Sequence, residues 1–298
     1  MVSTKLMYII PRAFMFCMAT PLAFANNLVI YEVRPSEADP AIVRFNEPNY
    51  IVFDAHSGPE ADLVVFMPGT DGEPSSVTKL LNVVADLGYR VIGLEYNNSP
   101  GVAQVCPQDP LANCSATFRE KRIFGEDATG KIDDTRAESI VNRLVTLLMY
   151  LHQHDTARQW SRYLVDGEPN WKRIVVSGFS QGAGMAAFIA KQKVVARVVL
   201  FSGPWDFQDP AKELASWLSG RSATSPERWF AAYHRREQTA NLIARAYMML
   251  GIPSGNIRVF DLAAASDSPD TARNPFHVST VRTSAYAPKW AFLFGRSH

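Results

Sequence analysis

One segment constrains this chain more than any other: Ile174-Val175-Val176-Ser177-Gly178-Phe179-Ser180-Gln181-Gly182-Ala183-Gly184. A β-branched apolar run leads into Gly-x-Ser-x-Gly, and small residues suited to close helix packing follow. The spacing predicts a strand that turns sharply into a helix with Ser180 at the apex. Glycines flank the serine because a side chain at either position would collide with neighbouring backbone. Such a turn lifts the Ser180 hydroxyl above the end of a sheet.

The rest of the chain supplies a sheet for that turn to sit on. Short β-rich runs open it at Leu28–Tyr31, Ala41–Phe45 and Tyr50–Phe53. Ala61–Met67 is nearly all apolar, which suits a strand covered on both faces, and it ends in Pro68-Gly69-Thr70-Asp71-Gly72. A helical pattern from Ser75 to Leu87 leads to a strand at Tyr89–Tyr96. A long loop through Cys106 and Cys114 precedes a helix over Thr135–Leu151, whose apolar residues recur every three or four positions. Strands at Arg173–Ser177, Ala196–Phe201, Arg228–Tyr233 and Asn256–Phe260 follow. Helices are expected after Gln181 and over Thr239–Leu250. Strands alternating with helices imply βαβ units and a mostly parallel central sheet flanked by helices. Nothing between Asn26 and His298 reads as a linker, so 26–298 is expected to be one domain.

The first 25 residues read differently. Lys5 and Arg12 precede an apolar stretch, and Ala23-Phe24-Ala25 forms a small-x-small triplet with no acid before it. This is the layout of a cleavable signal peptide at 1–25. The apolar run is too short for a membrane anchor, which needs about 20 residues. A periplasmic or secreted protein is therefore expected, with no stable membrane insertion after cleavage. Cleavage removes Cys17 and leaves Cys106 and Cys114, eight residues apart. In an oxidising compartment that pair reads as a disulfide.

A serine at such an apex has use for a base, and the base for a carboxylate that orients it. His277 lies past the last strand, where the base belongs. His234, at a strand end, reads as a structural histidine, and His298 is the chain terminus. Glu237, after the penultimate strand, is the expected acid, with Asp206 in Ser202-Gly203-Pro204-Trp205-Asp206 as its rival. The order Ser180, acid, His277 is the one this architecture requires. An oxyanion hole needs two backbone donors. Gln181, next after the serine, supplies one, and Thr70 the other, with Asp71 behind it.

These residues together resemble the α/β-hydrolase superfamily over nearly the whole mature length, and a secreted serine hydrolase branch of it in particular. The likeness is carried by Leu63–Gly72, the Cys106/Cys114 loop, Trp171–Gly182 and Val195–Pro204. It implies the α/β-hydrolase fold with a short cap region. It implies cleavage of ester-type bonds through an acyl-enzyme on Ser180, and a carboxylester hydrolase first. A thioesterase, a peptidase or a dienelactone-type hydrolase stands close by in chemistry. Phe179 stands where relatives often carry His, and Glu237 where Asp is commoner. A silent scaffold that binds without catalysis is the reading from a different class.

The remaining signals exclude more than they add. With 30 Lys and Arg against 29 Asp and Glu, the charge balance points to no nucleic-acid partner. No dinucleotide or phosphate-loop fingerprint is present, so no cofactor is expected. His152-x-His154 lacks further ligands at metal-site spacing, so no metal is expected. The expected partner is a small ester-like molecule.

Overall fold

The computed structural model describes residues 27–208, 212–263 and 274–297. The expected signal peptide and His298 lie outside the described residues. Eight strands form the central sheet: β1 (Leu28–Val33), β2 (Asn49–Asp54), β3 (Leu63–Met67), β4 (Arg90–Gly93), β5 (Ile174–Phe179), β6 (Arg197–Phe201), β7 (Trp229–His234) and β8 (Ile257–Phe260). Their order across the sheet is β1-β2-β4-β3-β5-β6-β7-β8. From β4 to β8 every pairing is parallel, and β2 runs antiparallel to both β1 and β4.

The apolar runs have a simple physical cause. Leu63, Val65 and Met67 enter one core layer and Val64 and Phe66 the other; β6 divides Val198 and Leu200 from Val199 and Phe201 in the same way. Side chains alternate between faces along a strand, so a sheet covered on both sides needs apolar residues at every position. One layer is closed by α2 (Cys114–Phe124), α3 (Ile140–His154), α4 (Gln181–Gln192) and α5 (Ala240–Met249). The other is closed by α1 (Thr78–Asp86), α6 (Pro275–Arg282) and α7 (Ala287–Phe294). Each fully buried Leu, Val, Ile or Phe side chain contributes about 1.5–3 kcal/mol relative to exposure.

Two segments depart from the sequence pattern. Ala41–Phe45 is not a strand. Its backbone polar groups are taken by side chains: Glu138 Oε1 accepts from the N–H groups of Val43 and Arg44, and Arg143 donates to the carbonyls of Arg44 and Phe45. The stretch expected as one long loop contains α2, and the 3.2 Å bond from the Asn142 N–H to Ser139 Oγ caps α3, which starts at Ile140 rather than near Thr135.

The cap is short. Between β6 and β7 the described residues hold a two-residue hairpin, Phe207–Gln208 with Glu213–Leu214, and two 3-10 turns. No helix among the described residues is long and apolar enough to cross a membrane.

Candidate active site

The sharp turn after β5 is present in full. Ser180 has φ 55° and ψ −114°, a backbone conformation that a non-glycine residue holds only when its surroundings fix it. They do so here. The Ser180 N–H donates to Phe201 O at 2.9 Å, and α4 begins at the next residue. The flanking glycines are required by contact: a Cβ on Gly182 would be driven into the Met67 carbonyl, and one on Gly178 into the Gly182 backbone. Ser180 therefore sits between β3 and β6 at the carboxyl end of the parallel strands.

Glu237 and His277 meet at the same end of the sheet. Glu237 lies just past β7, buried, and its Oε2 is 2.5 Å from His277 Nδ1. Its other oxygen, Oε1, accepts from the His234 N–H at 2.8 Å and the Ser202 hydroxyl at 3.0 Å. Ser202 Oγ also lies 3.1 Å from Thr280 Oγ1, which donates to His277 O at 2.9 Å. The carboxylate is thus held from three sides. Sequence reasoning missed Ser202 and Thr280, because hydroxyls of this kind carry no motif of their own.

His277 stands in the first turn of α6, not on a loop, with Pro275 as the first residue of the helix. Its ring is wedged between Phe179, 4.6 Å away, and the edge of Trp205, at 5.4 Å. The imidazole is 11% exposed. Nδ1 faces the carboxylate, and Nε2 has no hydrogen-bond partner among the described residues. His234 is fully engaged elsewhere. Its Nδ1 accepts from the Arg236 N–H, its Nε2 donates to Leu262 O, and its ring stacks on Phe276.

Asp206 does not join His277. Arg119 from α2 donates to it through Nε at 2.8 Å and Nη2 at 2.6 Å, and Trp217 Nε1 adds a third bond at 3.0 Å. Its carboxylate is spent on a buried ion pair. Arg119 carries no sequence signal, because α2 buries arginines on its core face and so shows no apolar period.

Thr70 and Gln181 face one small cavity with Ser180. Among the described residues no acceptor takes the backbone N–H of either. The loop carrying Thr70 is clamped from β4's extension. Asn98 Oδ1 accepts from the Asp71 N–H at 3.0 Å, Asn98 Nδ2 donates to Gly72 O at 2.7 Å, and Tyr96 donates to Pro68 O at 2.8 Å. Burial raises the Tyr96 phenol above its ordinary pKa, so it stays a donor. Asp71 takes a left-handed φ of 56° and donates its N–H to Asn98, which leaves Thr70 as the loop residue facing the cavity.

Cys106 and Cys114 form a disulfide that closes the one-turn helix Val102–Val105 onto the start of α2. His154 stacks on Tyr150 and bonds to its carbonyl, and no group of three possible metal ligands occurs among the described residues.

No family model matches the sequence, and no curated protein matches it either. Among solved structures the chain is similar to a bacterial heroin esterase, at 14% identity and a TM-score of 0.46, over 93% of this chain and 87% of that one. It is also similar to a dienelactone hydrolase-like promiscuous phosphotriesterase from metagenomic libraries, at 14% identity and a TM-score of 0.44, over 90% of this chain and 100% of that one. The fold rests on the strand order and the turn at Ser180 rather than on these likenesses. By that order, the chain has an α/β-hydrolase-type arrangement, with a mostly parallel sheet between two layers of helices.

Proposed function

We propose that this chain hydrolyses ester-type bonds, open-chain or lactone, through an acyl-enzyme on Ser180. The observation that carries the reading is the Glu237–His277 hydrogen bond, formed at the same sheet end as the strained Ser180 turn. His277 donates its Nδ1 proton to Glu237, which leaves the Nε2 lone pair to take the Ser180 hydroxyl proton. Ser180 Oγ attacks the carbonyl carbon, and the charge on the carbonyl oxygen is met by the backbone N–H groups of Thr70 and Gln181. Gln181 also opens the 12-residue helix α4, whose positive end favours an anion there. The imidazolium returns its proton to the leaving alcohol as the intermediate collapses. A water, deprotonated by the same nitrogen, then releases the acid and restores Ser180.

Secretion belongs to the same proposal. The leader pattern at 1–25 and the Cys106–Cys114 disulfide both suit an oxidising compartment.

Turnover of 4-nitrophenyl acetate by the mature chain and by Ser180→Ala tests the reading. The serine variant is expected to lose roughly 10³-fold or more of kcat/KM. Equal turnover by a folded Ser180→Ala would refute it and favour a scaffold that binds without this chemistry.

A further inference from the structure

We propose that the acyl side of this site admits only short acyl groups, of acetyl to propionyl size, because its floor is a locked ion pair. The inference rests on the Ser180 reading above and adds a substrate class to it.

The cavity beside Ser180 measures about 30 Å³. On that measure a single water needs roughly 10–15 Å³, so two or three small groups fill it. Thr70 and Gln181 border it, which places the carbonyl oxygen at its rim. His277 does not line it. The imidazole must reach the leaving oxygen to protonate it, so the alcohol departs on the His277 side and the acyl chain points into the cavity.

Ala103, Pro204, Trp205, Arg119 and Asp206 complete its lining. An apolar floor yields to a longer chain by changing rotamers; the Arg119–Asp206 floor does not. Arg119 is 1% exposed and Asp206 6%, and they are joined by the two short bonds already described. Trp217 holds the carboxylate from another direction. The guanidinium has no space to retreat, since even a Cβ on Gly184 of α4 would overlap it. Ala103 is exposed, and only its backbone is pinned. The N–H of its neighbour Val102 donates to Gln181 Oε1, and the disulfide ties the end of that turn to α2. A longer acyl chain could go deeper only by parting a buried charge pair, which leaves both ions poorly solvated; otherwise its end stays in the open mouth, past exposed Ala103 and half-buried Trp205.

Measuring kcat/KM for the 4-nitrophenyl acetate, propionate, butyrate, hexanoate and octanoate series tests this, with Ser180→Ala as the control. The expected result is a maximum at acetate or propionate and a fall of about 10-fold or more by hexanoate. The double variant Arg119→Ala/Asp206→Ala removes both charges together and is expected to move the maximum toward hexanoate. If that variant does not fold, the wild-type series decides alone. Ser180-dependent hydrolysis with a flat or rising profile would overturn the inference and leave the serine hydrolase reading intact. No Ser180-dependent hydrolysis of any ester would overturn both.

Discussion

Replacing Glu237 by Gln changes one carboxylate oxygen to an NH₂ and leaves the side chain the same size. The structure dictates which oxygen is lost. Oε1 accepts from two fixed donors, the His234 N–H and the Ser202 hydroxyl. An amide NH₂ in that place would face both donors, so the amide keeps its oxygen there and turns its NH₂ toward His277 Nδ1. Donor then meets donor unless His277 changes tautomer. With its proton moved to Nε2, the ring satisfies the amide but cannot take the proton of Ser180. The expected fall in kcat is about 10³–10⁴-fold, equivalent to roughly 4–5.5 kcal/mol of transition-state stabilisation. KM should change little, because Glu237 is not among the residues lining the cavity. Steady-state kinetics on 4-nitrophenyl acetate measure both constants, with thermal melting to establish that the variant folds. A folded Glu237→Gln enzyme within about 10-fold of wild-type kcat would mean that the carboxylate does not set the tautomer of His277.

Three further outcomes follow from the same geometry. Asn98→Ala frees the Asp71–Gly72 loop and should lower kcat by about 10- to 100-fold with KM nearly constant, read by the same assay. Glu95 is buried with Oε2 lacking a partner, and burial pushes its pKa up to about 8, so its neutral form is favoured by the fold. A raised carboxyl pKa gives stability that is complete below the ordinary value of 4.5 and lost as pH rises through about 8. Unfolding free energies from urea titration should therefore fall over that window by up to about 1.4 kcal/mol per pH unit in the wild type, and Glu95→Gln should flatten the slope. Reducing the Cys106–Cys114 bond should lower unfolding free energy by about 2.5 kcal/mol for so short a loop, measured by urea titration with and without reductant and absent in the double serine variant.

The sheet was legible because its central strands are buried on both faces and so print unbroken apolar runs such as Leu63–Met67. What escaped was structure whose buried face is not apolar. Helix α2 buries Arg119 and Arg122 beside Phe118 and Ile123, so its core side reads as polar and the segment passes for loop. Ala41–Phe45 misled in the opposite sense. Its β-like composition is real, but side chains of Glu138 and Arg143 occupy the backbone groups that a strand would pair. Asn274-Pro275 before His277 is a helix-start signal, and it places His277 in the first turn of α6 rather than on a loop. At the site, Ser180 was legible from its Gly-x-Ser-x-Gly motif and His277 from its place past the last strand, but chain order left Glu237 and Asp206 both open, and only Glu237 meets His277. Their supports were not legible: Ser202, Thr280, Asn98 and Arg119 act through contacts between elements far apart in sequence.

Whether Ser180 is an activated nucleophile is read by treating the folded mature chain with a fluorophosphonate probe and locating the adduct by peptide mass. An activated serine reacts with such a probe, whereas ordinary serines do not. One adduct is expected, on Ser180, lost in Ser180→Ala and slowed in Glu237→Gln. A folded protein that takes no label, or takes it at another serine, would contradict an activated Ser180.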